Sequence, residues 1–190
     1  MKKLSALFLM ILVLISCQKD NSTEIVLTGD YFPLKVGNYW DYELAGRYLV
    51  KDTKMVDGKE YFEILDDYGT SSFYTVRDNK IYVRNYSINN NEELKFDLTA
   101  QTDETWTYGP GKVRLADRYA TITIGNVQVD SCLQFIFYNN DLIDYGSTSW
   151  LAPGIGLIQI ICQECYGSGF EIIKLNKVNI NNKVVEFEKK

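Results

Sequence analysis

From Tyr39 onward the chain alternates apolar and polar residues with a period of two, the pattern of strands that bury one face. Trp40, Tyr42 and Leu44 alternate with Asp41 and Glu43; Ile81 and Val83 alternate with Tyr82 and Arg84; Ile122 and Ile124 alternate with Thr121 and Thr123. Tyr, Phe, Val, Ile and Thr, which suit a pleated, half-buried surface, dominate these segments. Turn signals separate them at Asp57-Gly58, Asp78-Asn79, Asn89 to Asn91, Gly125-Asn126, Asn139-Asn140, Gly167 to Gly169 and Asn181-Asn182. No stretch holds a helical period beyond a turn or two. The pattern predicts an all-β domain of about eleven or twelve antiparallel strands, forming a strongly curved sheet, a half-barrel or a barrel. Ile155 to Cys162 is apolar on both faces apart from Gln159, which predicts a central strand covered on both sides.

Three anchors recur in one order. Trp40-Asp41-Tyr42 returns as Trp106-Thr107-Tyr108, Gly58 has a counterpart in Gly125, and Gly69 to Phe73 matches Gly146 to Trp150. This predicts two copies of one multi-strand unit, over residues 30–98 and 99–180, that pair because neither could bury a sheet face alone.

The N-terminus departs from the alternation. Lys2 and Lys3 precede an apolar run from Leu4 to Ile15 broken only by Ser5, then Ser16 and Cys17. A charged start, a short apolar core and a small residue predict a secretory signal over residues 1–16. Leu14-Ile15-Ser16-Cys17 resembles a bacterial lipobox, which implies acylation of Cys17 and palmitate-type chains holding the protein in a membrane. Gln18 is not the aspartate that retains enterobacterial lipoproteins in the inner membrane, so the resemblance implies the outer membrane. Gln18-Lys19-Asp20 is similar to the export signal of surface-exposed Bacteroidetes lipoproteins, with Asn21 where a second acid is usual. Residues 17–29, polar and free of aromatics, predict a flexible tether, and residues 30–190 a single β domain.

Composition narrows the chemistry. The chain of 190 residues has no histidine, which excludes Ser-His-Asp and Cys-His catalysis, histidine metal sites and an imidazole acid or base. Its formal charge is −5; loss of residues 1–16 removes two lysines and no acid. An acidic body without basic runs argues against nucleic acid. The adjacent acids Asp66-Asp67, Glu92-Glu93 and Asp103-Glu104 point to opposite faces of a strand and suit loop ends better than a glycosidase pair. Asn139-Asn140-Asp141 with Asp144 lacks the glycine and terminal glutamate of a calcium loop. No metal and no cofactor is expected.

Cys132, Cys162 and Cys165 lie in the body of the chain. In an oxidising envelope they predict a structural disulfide with one thiol left over. Cys162 with Cys165 would staple a hairpin mouth, and Cys132 with either would tie neighbouring strands. Cys162-Gln163-Glu164-Cys165 has redox spacing but no helix start to lower a thiol pKa, and a zinc site would need a carboxylate such as Glu164. The aromatic enrichment is the other candidate: Trp40, Trp106 and Trp150 could line a concavity that stacks a sugar or takes an apolar ligand, or could anchor the core.

Tyr31-Phe32-Pro33-Leu34-Lys35-Val36-Gly37-Asn38-Tyr39-Trp40 and Trp150-Leu151-Ala152-Pro153-Gly154-Ile155-Gly156-Leu157-Ile158 resemble the opening and closing segments of a loosely defined group of secreted bacterial lipoproteins. The resemblance implies a β-rich envelope domain and supplies no activity. The expected function is therefore a non-enzymatic, lipid-anchored outer-membrane lipoprotein whose β domain binds a glycan, lipid or envelope protein. The alternative is a structural or assembly accessory of an outer-membrane complex, without a small-molecule site.

Overall fold

The computed structural model describes residues 30–85, 89–138, 146–163 and 170–187. They contain strands and no helix. The first six strands are β1 (Tyr39–Tyr42), β2 (Gly46–Val56), β3 (Lys59–Asp66), β4 (Ser71–Arg77), β5 (Lys80–Asn85) and β6 (Asn89–Asp97). Seven follow: β7 (Thr105–Tyr108), β8 (Gly111–Ile124), β9 (Val127–Tyr138), β10 (Gly146–Ala152), β11 (Gly156–Gln163), β12 (Phe170–Ile180) and β13 (Lys183–Glu186). Asn89 to Asn91, expected as a turn, belong to β6, because Asn89 already pairs with Asn85.

All thirteen strands join one antiparallel sheet in the order β6-β5-β4-β3-β2-β1-β12-β11-β10-β9-β8-β7, with β13 beside β12. Each half is a meander, and the halves meet where β1 pairs with β12, Trp40 opposite Val178. The sheet curls until β6 and β7 face each other, giving a nearly closed barrel. Trp106, on β7, spans this seam: its indole Nε1–H donates to the Leu94 carbonyl on β6 at 3.1 Å. The Phe96 ring on β6 lies 4.8 Å from that of Phe135 on β9, a pairing that adds about 1 kcal/mol beyond area burial. β1 to β6 fall within residues 30–98 and β7 to β12 within 99–180, with Trp40 and Trp106 on the first strand of each set.

Short turns enforce the meander. Asp57-Gly58, Asp78-Asn79 and Asn181-Asn182 all take positive φ at both positions, the geometry that matches strand twist in two-residue hairpins. Leu44 departs from the expected alternation: β1 ends at Tyr42, a bulge breaks its register after Asp41, and Leu44 is 57% exposed in the following turn. β11 is covered on both faces, with Ile158 and Gln159 both buried.

The segment before β1 plugs one end of the barrel. Phe32 points inward and stacks on Trp40, ring centroids 5.9 Å apart, and meets Tyr74 at 5.4 Å. The Gly154 N–H donates to the Asp30 carbonyl at 2.6 Å, and the Tyr31 hydroxyl donates to the Ser131 carbonyl at 2.8 Å. Asn38, buried, donates from Nδ2 to the Pro33 carbonyl at 2.7 Å and accepts from the Asn181 N–H at 2.9 Å. Residues 31–40 and 150–158 are thus in contact: the plug and the β10–β11 turn it rests on.

Candidate functional site

Above the plug the barrel interior is not filled. A cavity of about 270 Å³ is lined by Phe32, Trp40, Tyr42, Tyr74, Phe96, Leu157, Ile160 and Ile173, among others. Trp40 is held by its indole N–H, which donates to the Ile155 carbonyl at 2.5 Å. Tyr42 is held by its hydroxyl, which donates to the Leu157 carbonyl at 2.7 Å. Both polar ends are satisfied by backbone, so the rings present apolar faces to the cavity.

Of the described residues that line the cavity, Lys95 alone is charged. Its position comes from a bulge. Ile81 pairs with Phe96 and Tyr82 with Leu94, so Lys95 is the extra residue on β6. Strict alternation would send Lys95 outward if Phe96 points inward; the bulge lets both line the interior. Lys95 Nζ donates to the Tyr74 hydroxyl at 3.1 Å and lies 5.3 Å from the Tyr74 ring centroid and 5.7 Å from that of Phe96. Burial works against its charge, but Tyr74, Tyr108 and Tyr48 outweigh it and hold the ammonium above the ordinary lysine range. Among the described residues it has no carboxylate partner.

Of the tryptophans proposed from sequence, only Trp40 lines this cavity. Trp106 is half-buried at the seam, edge-on to Phe135, and Trp150 is half-buried on β10, packed against the core between Gln134 and Gln159. Cys162 lines the cavity and is disulfide-bonded. Cys132 takes no part in that bridge: it is a free, buried thiol. Ser131, at φ 59°, sits in a bulge of β9 that turns Cys132 into the core, with Sγ 3.5 Å from the Val129 carbonyl. Cys17, Cys165, Glu164, Asp141 and Asp144 lie outside the described residues, as do the signal and tether expected over residues 1–29.

Most of these acids serve structure, and Glu92 and Glu93, expected at a loop end, lie within β6, where they pair with Arg84 and Val83. Asp66 Oδ1 accepts the Tyr68 and Thr70 N–H groups at 3.0 and 2.7 Å, and Asp67 accepts the Arg47 N–H at 2.9 Å. Asp103 pairs with Arg114 at 2.9 Å, and Glu104 accepts the Gln101 N–H at 2.8 Å. Glu92 has the densest set: Arg77 Nη1 at 3.0 Å, Lys59 Nζ at 3.3 Å and the hydroxyl of the fully buried Tyr61. Burial opposes its charge, but the hydrogen bonds from Arg77, Tyr61 and Lys59 prevail and hold the carboxyl at about 2. This cluster clamps β3, β4 and β6 together.

No protein-family profile matches the chain, and neither does any curated protein sequence. Two crystal structures are similar to it. One is a protein from Parabacteroides distasonis provisionally described as a lipoprotein, at 11% identity and a TM-score of 0.44, with 83% of this chain and 99% of that chain covered. The other, from Bacteroides fragilis, is provisionally described as an exported protein with a YmcC-like fold, at 11% identity and a TM-score of 0.44, with 82% and 98% covered.

Proposed function

We propose that this chain is a lipid-anchored envelope protein, tethered to the outer membrane through Cys17, whose β domain binds a ligand and performs no chemistry on it. The anchor reading is supported by the apolar run ending in Leu14-Ile15-Ser16-Cys17. The observation that carries ligand binding is the cavity. A barrel selected only for stability fills its interior to the density of an organic crystal. This one leaves about 270 Å³ empty beside a lysine, close to the lower end of ligand pockets, roughly 300–1,000 Å³. Small closed sheets use such interiors to hold one small molecule.

The test has two arms. Cys17→Ala should move the protein from the membrane fraction to the soluble envelope fraction; unchanged membrane association defeats the anchor. Protein isolated from its own envelope, then denatured and extracted, should release a small apolar molecule in near-stoichiometric amount. Its absence from repeated preparations defeats ligand binding.

A further inference from the structure

We infer that the cavity ligand is a small amphiphile with one anionic head, of the fatty-carboxylate class, whose head pairs with Lys95 and the Tyr74 hydroxyl and whose tail lies along Leu157, Ile160 and Ile173. The inference rests on the ligand-binding reading above and specifies its chemistry.

Three observations converge on it. The cavity wall is apolar apart from a few groups, and among the described lining residues the single charge is positive. Lys95 is half-buried, and an ammonium facing an apolar space without a counter-ion is costly to the extent that it is withdrawn from water. Lys95 has one hydrogen bond, to Tyr74 at 3.1 Å, so two of its three donors have no acceptor among the described residues. A carboxylate oxygen would satisfy them and supply the missing charge.

The bulge strengthens the case. On a regular β6, Lys95 would face solvent, where a lysine costs nothing. The extra residue between the Ile81–Phe96 and Tyr82–Leu94 pairs brings it inside, at the expense of a ladder interruption. Other surfaces offer less: the Glu92 cluster is already saturated by Arg77, Tyr61 and Lys59, and the Cys132 thiol has no second group beside it that points to a ligand.

A neutral apolar ligand of equal length is the natural comparison. The volume limits the chain: about 270 Å³ suits a short or medium tail, so octanoate and octanol are the probes. Calorimetric titration of the chain from residue 17, with Cys17→Ser to keep it free of lipid, should show octanoate binding at least about tenfold tighter than octanol at neutral pH. Lys95→Met should remove that preference while octanol affinity holds or improves. Lys95→Arg should restore most of it.

Equal affinity for the two probes in the unsubstituted protein overturns the anionic-head inference and leaves ligand binding standing. Binding of neither probe overturns both. The octanoate-to-octanol ratio is read on the unsubstituted protein, so misfolding of a variant does not decide the result.

Discussion

Trp40 and Gly156 touch across the barrel end so closely that a Cβ on Gly156 would sit 3.0 Å from the indole Nε1. Gly156 also has φ +98°, a conformation L side chains rarely adopt. The two residues come from segments 31–40 and 150–158, and their contact explains why position 156 carries a glycine. Gly156→Ala should therefore destabilise the fold by about 3 kcal/mol, strain and overlap together. Gly58→Ala, at φ +74° with open space around it, should lose only the strain, about 1 kcal/mol. Urea midpoints of the two variants check this; equal losses would mean that the Trp40 contact contributes nothing.

The seam between β6 and β7 depends on Trp106 Nε1 and the Leu94 carbonyl. Trp106→Phe keeps most of the packing and deletes that donor, at a cost of about 1 kcal/mol. Hydrogen exchange should accelerate in β6 and β7 before it does in β9 and β10. Uniform acceleration would show that the seam is not a separate weak point.

Glu92 makes stability fall in acid. Its folded carboxyl is held at about 2, below the ordinary value of 4.5. A depressed carboxylate contributes stability that is fully present above its unfolded pKa and is lost as pH falls toward the folded one. The contribution, roughly 2 kcal/mol, should disappear between about pH 4.5 and pH 2. Glu92→Gln should be less stable at neutral pH by a similar amount, because Arg77 loses its counter-ion, and should show a shallower loss over that acid range. A Gln variant with the same pH profile as the unsubstituted protein would rule out this role.

Burial pushes the Cys132 thiol up to about 12, with the Asp130 charge adding to it. The thiolate is the reactive form, so an alkylating reagent at neutral pH should leave Cys132 unmodified in the folded protein. In denaturant it should react at the rate of a free cysteine. Fast labelling under native conditions, followed by peptide mapping, would contradict its place in the core.

Much of this fold is legible along the chain. Alternation is a relation between a residue and its neighbours two positions away, so it exposes strands such as Ile81 to Arg84 without knowledge of their partners. Positive-φ turns are equally local, which is why Asp57-Gly58, Asp78-Asn79 and Asn181-Asn182 were readable. The alternation misleads at Leu44, where the strand has already ended.

The site was hardly legible. Trp40, Trp106 and Trp150 look alike in sequence, yet they lie respectively in the cavity wall, at the seam and against the core. Lys95 carries no signal at all, since next to Phe96 it reads as the solvent side of an ordinary strand. Cys132 is hidden in the same way.

The sequence by itself determined the strand pattern, the tight hairpins and the absence of histidine side chains, all of which rest on neighbouring residues or on composition. Tertiary structure decided which strands close the sheet, how the N-terminal segment plugs it, and where bulges turn Lys95 and Cys132 inward. The reason is physical: a bulge exists only relative to the strand it pairs with. Partner and register are set by long-range packing that no single segment contains.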